Sequence, residues 1–417
     1  MSSWAARYLG GGPALSPRAF GRRLALALGG MSLPLRAFVG SRVIVLVAGT
    51  GGVLTLAKHA PAGMSDAALR QLGSVGYVLS GAADRFDSSY YLDIAAHGYG
   101  TVASGKIAFF PLYPLLIRAF TPLIGSAAFA GVMISMASFL GALVVLHRLT
   151  ELELGRPAAD ATVLLVSFAP LSFFFNAVYT ESLFLLLSVA ATLAARQERW
   201  PWACGLAALA SLTRPTGFLL VILLIVIHLR AGRRFDRRSV GLLAVPATLL
   251  AYIGVLVLAG YSWLEPFRAQ AEWSRATVGP ILGLGAAVWQ GLRGGVQIAQ
   301  GAGFYHPGLG GPFTPGAENL ILLVKLIVAC VALQWCRRRL APQYFAYALG
   351  VLVVCVSSPV AGEPLLSVDR FVLTTFPLWM AAGGWVASRR LQTPVVVLST
   401  ILLIFYTAQA SSWAFVA

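Results

Sequence analysis

Apolar residues run through this chain in long blocks rather than in alternation. From about Ser41 to the C-terminus, stretches of Leu, Val, Ile and Ala close to 20 residues long recur with short polar breaks. A hydrocarbon core about 30 Å thick takes a helix of about 20 apolar residues, whereas a membrane β-barrel would show segments of about 10 residues alternating in polarity. The pattern predicts an all-α polytopic membrane protein. Eleven spans are expected, at about 41–57, 126–146, 158–176, 180–195, 201–213, 215–229, 239–260, 317–336, 342–358, 370–388 and 392–412. A further apolar stretch, about 107–124, contains Pro111, Pro114 and Pro122 and reads as a folded loop segment rather than a straight span.

Placing the N-terminus in the cytosol and alternating from there gives every inner segment at least two basic residues. These are Arg18, Arg22, Arg23 and Arg36; Arg148 and Arg156; Arg196 and Arg199; Arg230, Arg233, Arg234, Arg237 and Arg238; Arg337, Arg338 and Arg339; and Arg389 with Arg390. That regularity is the positive-inside signal, and it supports both the count and the orientation. Acidic residues show the reverse bias: Asp66, Asp84, Asp87, Asp93, Glu181, Glu265, Glu272, Glu318, Glu363 and Asp369 fall on or near the outer side. Two outer segments, about 58–125 and 261–316, are long, and loops of that length are usually functional or disordered. Their Tyr, Trp and Phe content argues for order. Residues 1–40 carry Arg22-Arg23 ahead of an apolar stretch from Leu24 to Leu35, but Gly29, Gly30 and Pro34 interrupt it and Arg36 closes it. They read as a cytosolic or interfacial lead-in to a transmembrane domain over 41–417, rather than as a cleaved signal.

Composition agrees with the pattern. Hydrophobic residues make up 58% of the 417 and charged ones 11%, against about 25% charged in an ordinary soluble domain. The net charge of +16 sits mostly in short runs at helix ends, so it is a topology signal rather than the clustered basic face of a nucleic-acid binder. Cys204, Cys330, Cys336 and Cys355 lie in or beside apolar segments without metal-ligand spacing and read as packing residues. No His/Asp/Glu cluster argues for a metal, no cofactor is expected, and Gly308 to Gly311 lack the strand–loop–helix context of a phosphate cradle.

Candidate chemistry concentrates in the first outer segment, at Asp84-Arg85-Phe86-Asp87-Ser88-Ser89-Tyr90-Tyr91-Leu92-Asp93-Ile94-Ala95-Ala96-His97-Gly98-Tyr99-Gly100. On a helix, Asp87, Tyr90 and Tyr91 share one face, with Asp84 a turn earlier. A carboxylate beside aromatic rings suits a general base acting on a sugar hydroxyl; a solvated interfacial helix with snorkelling aromatics is the plainer alternative. Arg214 and Arg370 lie at outer span ends, where a membrane-level phosphate would sit, and a charge at that depth is costly unless it has work to do. Snorkelling or helix pairing is the other account of both. Glu181 orients a hydroxyl or pairs with one of those arginines. In the second outer segment, Arg268 and Glu272 stand at i, i+4 as an ordinary surface ion pair, or else contact a head group or acceptor with Gln270 and Trp273 on sugar hydroxyls. His97 reads as a hydrogen-bonding structural residue before a ligand.

The same block resembles the first-loop signature of the PIG-V family of mannosyltransferases. That signature has an Arg-Trp-Asp core, a Tyr or His, an Ile-Ala-x-x-Gly-Tyr element and then Ala-Phe-Phe-Pro-x-x-Pro. Here the elements read Arg85-Phe86-Asp87, Tyr91, Ile94-Ala95-Ala96-His97-Gly98-Tyr99 and Ala108-Phe109-Phe110-Pro111-Leu112-Tyr113-Pro114, with Phe86 where Trp is usual. Three further blocks follow in the family's order: Tyr179-Thr180-Glu181-Ser182-Leu183-Phe184, Thr213-Arg214-Pro215-Thr216-Gly217, and Asp369-Arg370-Phe371 with Phe376-Pro377. Four collinear blocks over about 84–377 make the resemblance specific.

The resemblance implies a GT-C-like bundle and transfer of a sugar, most simply mannose, from a polyprenyl-phosphate donor to a glycolipid or glycan acceptor on the non-cytosolic face, with inversion. It maps the first-loop base onto Asp87. Arg214 and Arg370 become the candidate phosphate ligands, and Asp84, Tyr90, Tyr91, His97, Glu181, Arg268 and Gln270 the candidate substrate contacts. The Ala/Gly/Arg-rich composition points to a bacterial plasma membrane, or to the endoplasmic reticulum membrane for a eukaryotic chain. Membrane lipids are the expected surroundings and nucleic acid is not an expected partner. Two rival readings are a transporter or flippase of lipid-linked glycans, disfavoured by the lack of a repeat between the halves, and a non-catalytic membrane scaffold, against which an intact Asp87 counts.

Overall fold

Proline and glycine decide where the apolar blocks become straight helices and where they break. The computed structural model describes residues 32–56, 74, 77, 78, 81, 83–100, 105–232, 239–305 and 311–416. Most of the predicted lead-in, Asp66 and the basic run at 233–238 lie outside these residues. Among the described residues the elements are helical, with two isolated bridges, Arg275 to Val360 and Tyr305 to Phe313.

In chain order the helices are α1 (Leu33–Leu56), α2 (Ser88–His97), α3 (Leu112–Ile124), α4 (Ala127–Leu154), α5 (Arg156–Ser167), α6 (Glu181–Arg196), α7 (Trp200–Ser211) and α8 (Leu220–Arg230). There follow α9 (Ala244–Leu258), α10 (Pro280–Ala299), α11 (Pro315–Arg339), α12 (Pro342–Ser357), α13 (Val368–Thr374), α14 (Phe376–Arg389) and α15 (Gln392–Ser411). Among the described residues five helical runs are long and apolar enough to cross a membrane: α1, α4, the run Ser239–Leu258 that contains α9, α11 and α15; the bent pair α13–α14 makes a sixth. The other expected spans appear as shorter helices. At 1.5 Å per residue the 16 residues of α6 reach only about 24 Å, and 12 of them are buried. A helix apolar all round belongs to the middle of a bundle, and α6 lies there, packed on α4 and α7.

Four boundaries differ from the sequence reading, each for a local reason. The first span begins at Leu33 rather than near 41, so the lead-in is shorter. The expected 158–176 span stops at Ser167, because the residue before Pro170 avoids the helical region; a 3₁₀ turn, Ser172–Phe175, follows. The guanidinium of buried Arg42 donates to the freed carbonyls of Ser172 (2.9 Å) and Ser167 (3.4 Å), closing that break. The stretch at 107–124 is helical from Leu112 rather than a folded loop. Pro114 falls in its first turn, where a missing N–H costs nothing, and Pro122 in its last. The long 261–316 segment contains α10, whose buried residues Gly283, Ala287, Gly291 and Gly294 let it lie close on α11. A Cβ at Gly283 would strike the Val356 carbonyl, and one at Gly294 the Gly316 carbonyl.

The α13–α14 break bends the chain by 73°. Pro377 forces it, and side chains take up the carbonyls left over: the Trp379 indole N–H donates to Val372 (3.1 Å) and Leu373 (3.0 Å), and the Thr375 hydroxyl to Phe371 (2.6 Å). The two ends of the bundle now separate. The ends of α4, α6, α11 and α14 that carry the predicted inner arginines gather together. There Glu153 accepts from Arg196 (2.6 Å) and Tyr344 (2.9 Å), and Gln392 reaches the Pro157 carbonyl (3.4 Å). The opposite end holds the broken segments and the cavity they enclose.

Candidate active site

Asp87 is placed by a strained turn. Phe86, just before it, takes φ +53, a region non-glycine residues rarely enter, and its ring is held edge-on by Trp413 (5.5 Å) and Phe415 (5.3 Å). The Tyr179 hydroxyl donates to the Arg85 carbonyl (2.9 Å) and accepts from the Asp87 N–H (3.1 Å), which fixes the turn from the other side. Asp87 is the N-cap residue of α2, yet its carboxylate makes no capping bond. It is directed to Arg370.

Arg370 is the hub. Its Nη1 donates to Asp87 Oδ2 (2.5 Å) and its Nε to Glu181 Oε1 (2.7 Å), while the Arg214 Nη1 lies 2.6 Å from the same Glu181 oxygen. The Arg370 guanidinium also lies over the Tyr179 ring (4.8 Å) and the Phe174 ring (5.3 Å). Glu181 is fully buried, whereas Asp87 and Arg370 keep 19% and 14% of their side chains exposed. Four residues separated by up to 283 positions thus form one chain of charge, Asp87–Arg370–Glu181–Arg214. The Arg214 contact is ionic by distance but lacks hydrogen-bond alignment, so Nη1 still has a donor to offer. Arg214 is presented by extended backbone (φ −151, ψ 147), the conformation a residue before proline prefers.

These groups border a cavity of about 760 Å³, within the range of small-ligand sites. Asp87, Arg214 and Arg370 line it with Tyr91, Phe109, Gln270, Trp273 and Arg275, and Phe218, Leu219, Leu249, Ile253 and Val354 form an apolar side. Burial raises the Tyr91 phenol to about 12, with the Glu181 carboxylate adding to the effect; its hydroxyl shares a hydrogen bond with Thr180 (3.3 Å) and stays protonated.

The other sequence candidates fall in different places. Gln270 and Tyr91 reach the cavity. Glu181 acts from behind it, through the two arginines. Tyr90 supports the wall, stacking on Phe109 (4.9 Å) and meeting Trp273 edge-on (5.2 Å). Asp84 is buried next to Arg85 and is not in the cavity wall. His97, 75% exposed, pairs with Asp93 (2.8 Å), and Arg268 is exposed; neither reaches the cavity. The i, i+4 pairing of Arg268 with Glu272 is not what forms: Glu272 accepts from the Gly105 N–H across the two outer segments. The sequence reading passed over Arg275 and the C-terminal Phe415 and Val416, which also line the cavity. They belong to no recognisable motif; the nearest signal for Arg275 is its place in an ordered outer segment rich in aromatics.

Comparison with known proteins follows the same lines. The GPI alpha-1,6-mannosyltransferase 2 of Cricetulus griseus is 34% identical over 155 residues, covering 34% of this chain and 31% of that protein. The Rattus norvegicus protein of the same name is 31% identical over 202 residues, covering 45% of this chain and 40% of that one. The chain therefore matches less than half the length of either relative. Among solved structures, AglB from Archaeoglobus fulgidus in complex with an inhibitory peptide and a dolichol-phosphate aligns over 91% of this chain and 56% of its own at 14% identity, TM-score 0.46. ArnT from Cupriavidus metallidurans bound to undecaprenyl phosphate aligns over 90% and 76% at 13% identity, TM-score 0.44. The family model for mannosyltransferase (PIG-V) matches residues 61–270, just over half of the chain and the part that holds Asp87, Glu181 and Arg214, and so the chain belongs to the PIG-V family of mannosyltransferases.

Proposed function

We propose that the protein is a membrane mannosyltransferase of the GT-C class. It takes mannose from a polyprenyl-phosphate-mannose and passes it, with inversion, to a glycolipid or cell-envelope glycan at the extracytoplasmic face, in a bacterial plasma membrane or, for a eukaryotic chain, in the endoplasmic reticulum. One observation carries this reading: the Asp87 carboxylate and two arginines of separate membrane segments border one cavity at the end of the bundle away from the basic loops.

A polyprenyl phosphate is a good leaving group, so the reaction needs no strong acid. The acceptor oxygen attacks the anomeric carbon opposite the phosphate, and its proton passes to a carboxylate of Asp87. The carbon–oxygen bond to phosphate breaks and its electron pair leaves on the phosphate oxygen. The Asp87 carboxylate is held by Arg370; an arriving phosphate competes for that guanidinium and frees the carboxylate as the donor seats. Arg214 and Arg370 then face the developing phosphate charge, with Glu181 as the positioning residue that keeps both side chains aligned. The apolar wall of Phe218, Leu219, Leu249 and Ile253 suits the first isoprene units of the tail, while Phe109, Trp273 and Gln270 suit a sugar, an aromatic face and an amide beside ring hydroxyls.

Asp87→Asn keeps the shape and removes the base. Transfer from polyprenyl-phosphate-mannose in reconstituted vesicles should fall by about 100-fold or more, with binding of the donor kept. Wild-type turnover in that variant would reject Asp87 as the base.

A further inference from the structure

Charge around the cavity does not balance once a donor is present. Asp87 and Glu181 already offset Arg370 and Arg214 one for one. A phosphodiester entering that group would bring a third negative charge against two positive ones, at the edge of a low-dielectric interior where an uncompensated charge is costly. Arg85 also lines the cavity, but its guanidinium lies over the Trp413 ring (4.6 Å) and donates to the backbone carbonyls of Ser411 (3.1 Å) and Asp84 (3.0 Å), and the residue is 4% exposed.

Arg275 differs. It is partly exposed, and it lines the cavity from the second outer segment. Its Nη1 donates to the Ser358 carbonyl (3.2 Å) and its Nη2 to the Leu366 carbonyl (3.1 Å). A guanidinium has five N–H donors, so three remain after those two bonds. Among the described residues no carboxylate pairs with it, although it feels the charges of both Arg370 and Asp87. Around it the cavity wall is hydroxyl-bearing: Thr277, Ser357, Ser358 and Ser367 all line it. The Ser367 backbone is in the left-handed region (φ +71) and its hydroxyl does not cap the helix that follows. A cation with spare donors, ringed by hydroxyls and beside the catalytic pair, has the chemistry of a phosphate seat.

We propose that Arg275, together with the hydroxyls of Thr277 and Ser367, holds the phosphate of the lipid-linked donor; this rests on the donor class proposed above. With Arg275 counted, three arginines face Asp87, Glu181 and a phosphodiester before transfer. After transfer they face Glu181 and a doubly charged phosphate monoester, because Asp87 has taken the proton. The group is neutral at both stages, and the negative charge moves from Asp87 to the leaving phosphate without a change in the total.

The test uses the full chain in detergent and undecaprenyl phosphate as probe, with undecaprenol and phosphatidylglycerol as controls, read by thermal stabilisation over a concentration series. Undecaprenyl phosphate should stabilise the wild type where undecaprenol and phosphatidylglycerol do not. Arg275→Gln should weaken that response by about tenfold to a hundredfold, the worth of a hydrogen bond to a charged group. Arg275→Gln should also raise the donor KM while leaving the acceptor KM unchanged, and Arg275→Lys, which keeps the charge and a donor for the 358–366 loop, should recover most of both. An Arg275→Gln protein that binds undecaprenyl phosphate like wild type overturns the assignment while leaving the mannosyl-transfer reading intact. Equal losses in the Gln and Lys variants, with melting temperatures unchanged, overturn it too, in favour of a loop clamp. Stabilisation of the wild type by phosphatidylglycerol alone moves the seat to a phospholipid and rejects the donor class itself.

Discussion

The two ends of the helix bundle use the same residue types to opposite effect. At the end predicted to face the cytosol, Glu153 accepts from Arg196 and Tyr344, and His147 meets Asp160 at 2.8 Å. Glu153 and Asp160 have these partners on regular helices, and the pairs tie helix ends together. At the other end, Asp87, Arg214 and Arg370 sit on breaks: a left-handed turn, an extended residue before a proline, and a helix bent by 73°. Irregular backbone at membrane depth is tolerated where it lines a cavity. Charge in a cavity can exchange partners, whereas charge between packed helices cannot. The difference between a staple and a site is thus set less by the ionisable groups than by the backbone that carries them.

Neutralising the buried acid at each end sharpens that contrast. Glu181→Gln leaves two arginines at the cavity with one carboxylate between them. Breaking a buried pair costs up to about 3–5 kcal/mol, and with both arginines partly exposed the cost belongs at the lower end; the melting temperature should still drop, and the variant that does fold should lose donor turnover because Arg214 and Arg370 are no longer aligned. At the inner end, Glu153→Gln still accepts from Tyr344 and loses a pair whose arginine is 36% exposed. Its cost should be about 1 kcal/mol or less, with transfer per folded molecule unchanged. A Glu153→Gln protein that folds normally but has lost activity would erase the distinction between the two ends.

How much of this was written in the chain can be judged residue by residue. Apolar blocks gave the helices, because in lipid nearly every backbone N–H must be satisfied within its own segment. The site was legible where local pattern coincided with motif: Asp87 in an aromatic turn, Arg214 before Pro215, Arg370 before the Phe376-Pro377 break. For Glu181 the sequence offered two accounts, orienting a hydroxyl or pairing with one of those arginines, and nothing local says that it contacts both. Arg275 was invisible because its meaning is long-range; it acquires one only when the 357–367 loop folds against it. The helix α10 was hidden by its glycines, which lower hydropathy and helix propensity. Yet the spacing of Gly283, Ala287 and Gly291 at every fourth position is the small-residue signature of close helix contact, and it was available. His97, read first as a hydrogen-bonding structural residue, pairs with Asp93, and neither it nor Arg268 lines the cavity.

The smallest expected effect concerns what holds α2, the helix that Asp87 caps, to its neighbour. Asp93 sits midway along it and receives hydrogen bonds from Lys106, in the turn Gly105–Ala108, and from His97. Partial burial alone would push its carboxyl up, but those bonds and the nearby positive charges outweigh it and hold the group below the usual carboxylate value of 3.8. A carboxyl depressed in the folded protein stabilises the fold above its unfolded value and loses that contribution as pH falls through the folded one. The loosening belongs below about pH 4, and since Asp93 is about a third exposed it should stay local. Hydrogen exchange in α2 and at 105–108, taken relative to the intrinsic rate, which itself falls over this range, should rise between pH 5 and pH 3 in the wild type. In Asp93→Asn it should already be fast at pH 5, with no further acid step. Were the two proteins to show the same acid step, the Lys106 contact would be a surface pair of no consequence, and Asp87 would owe its position to Tyr179 and the Phe86 turn alone.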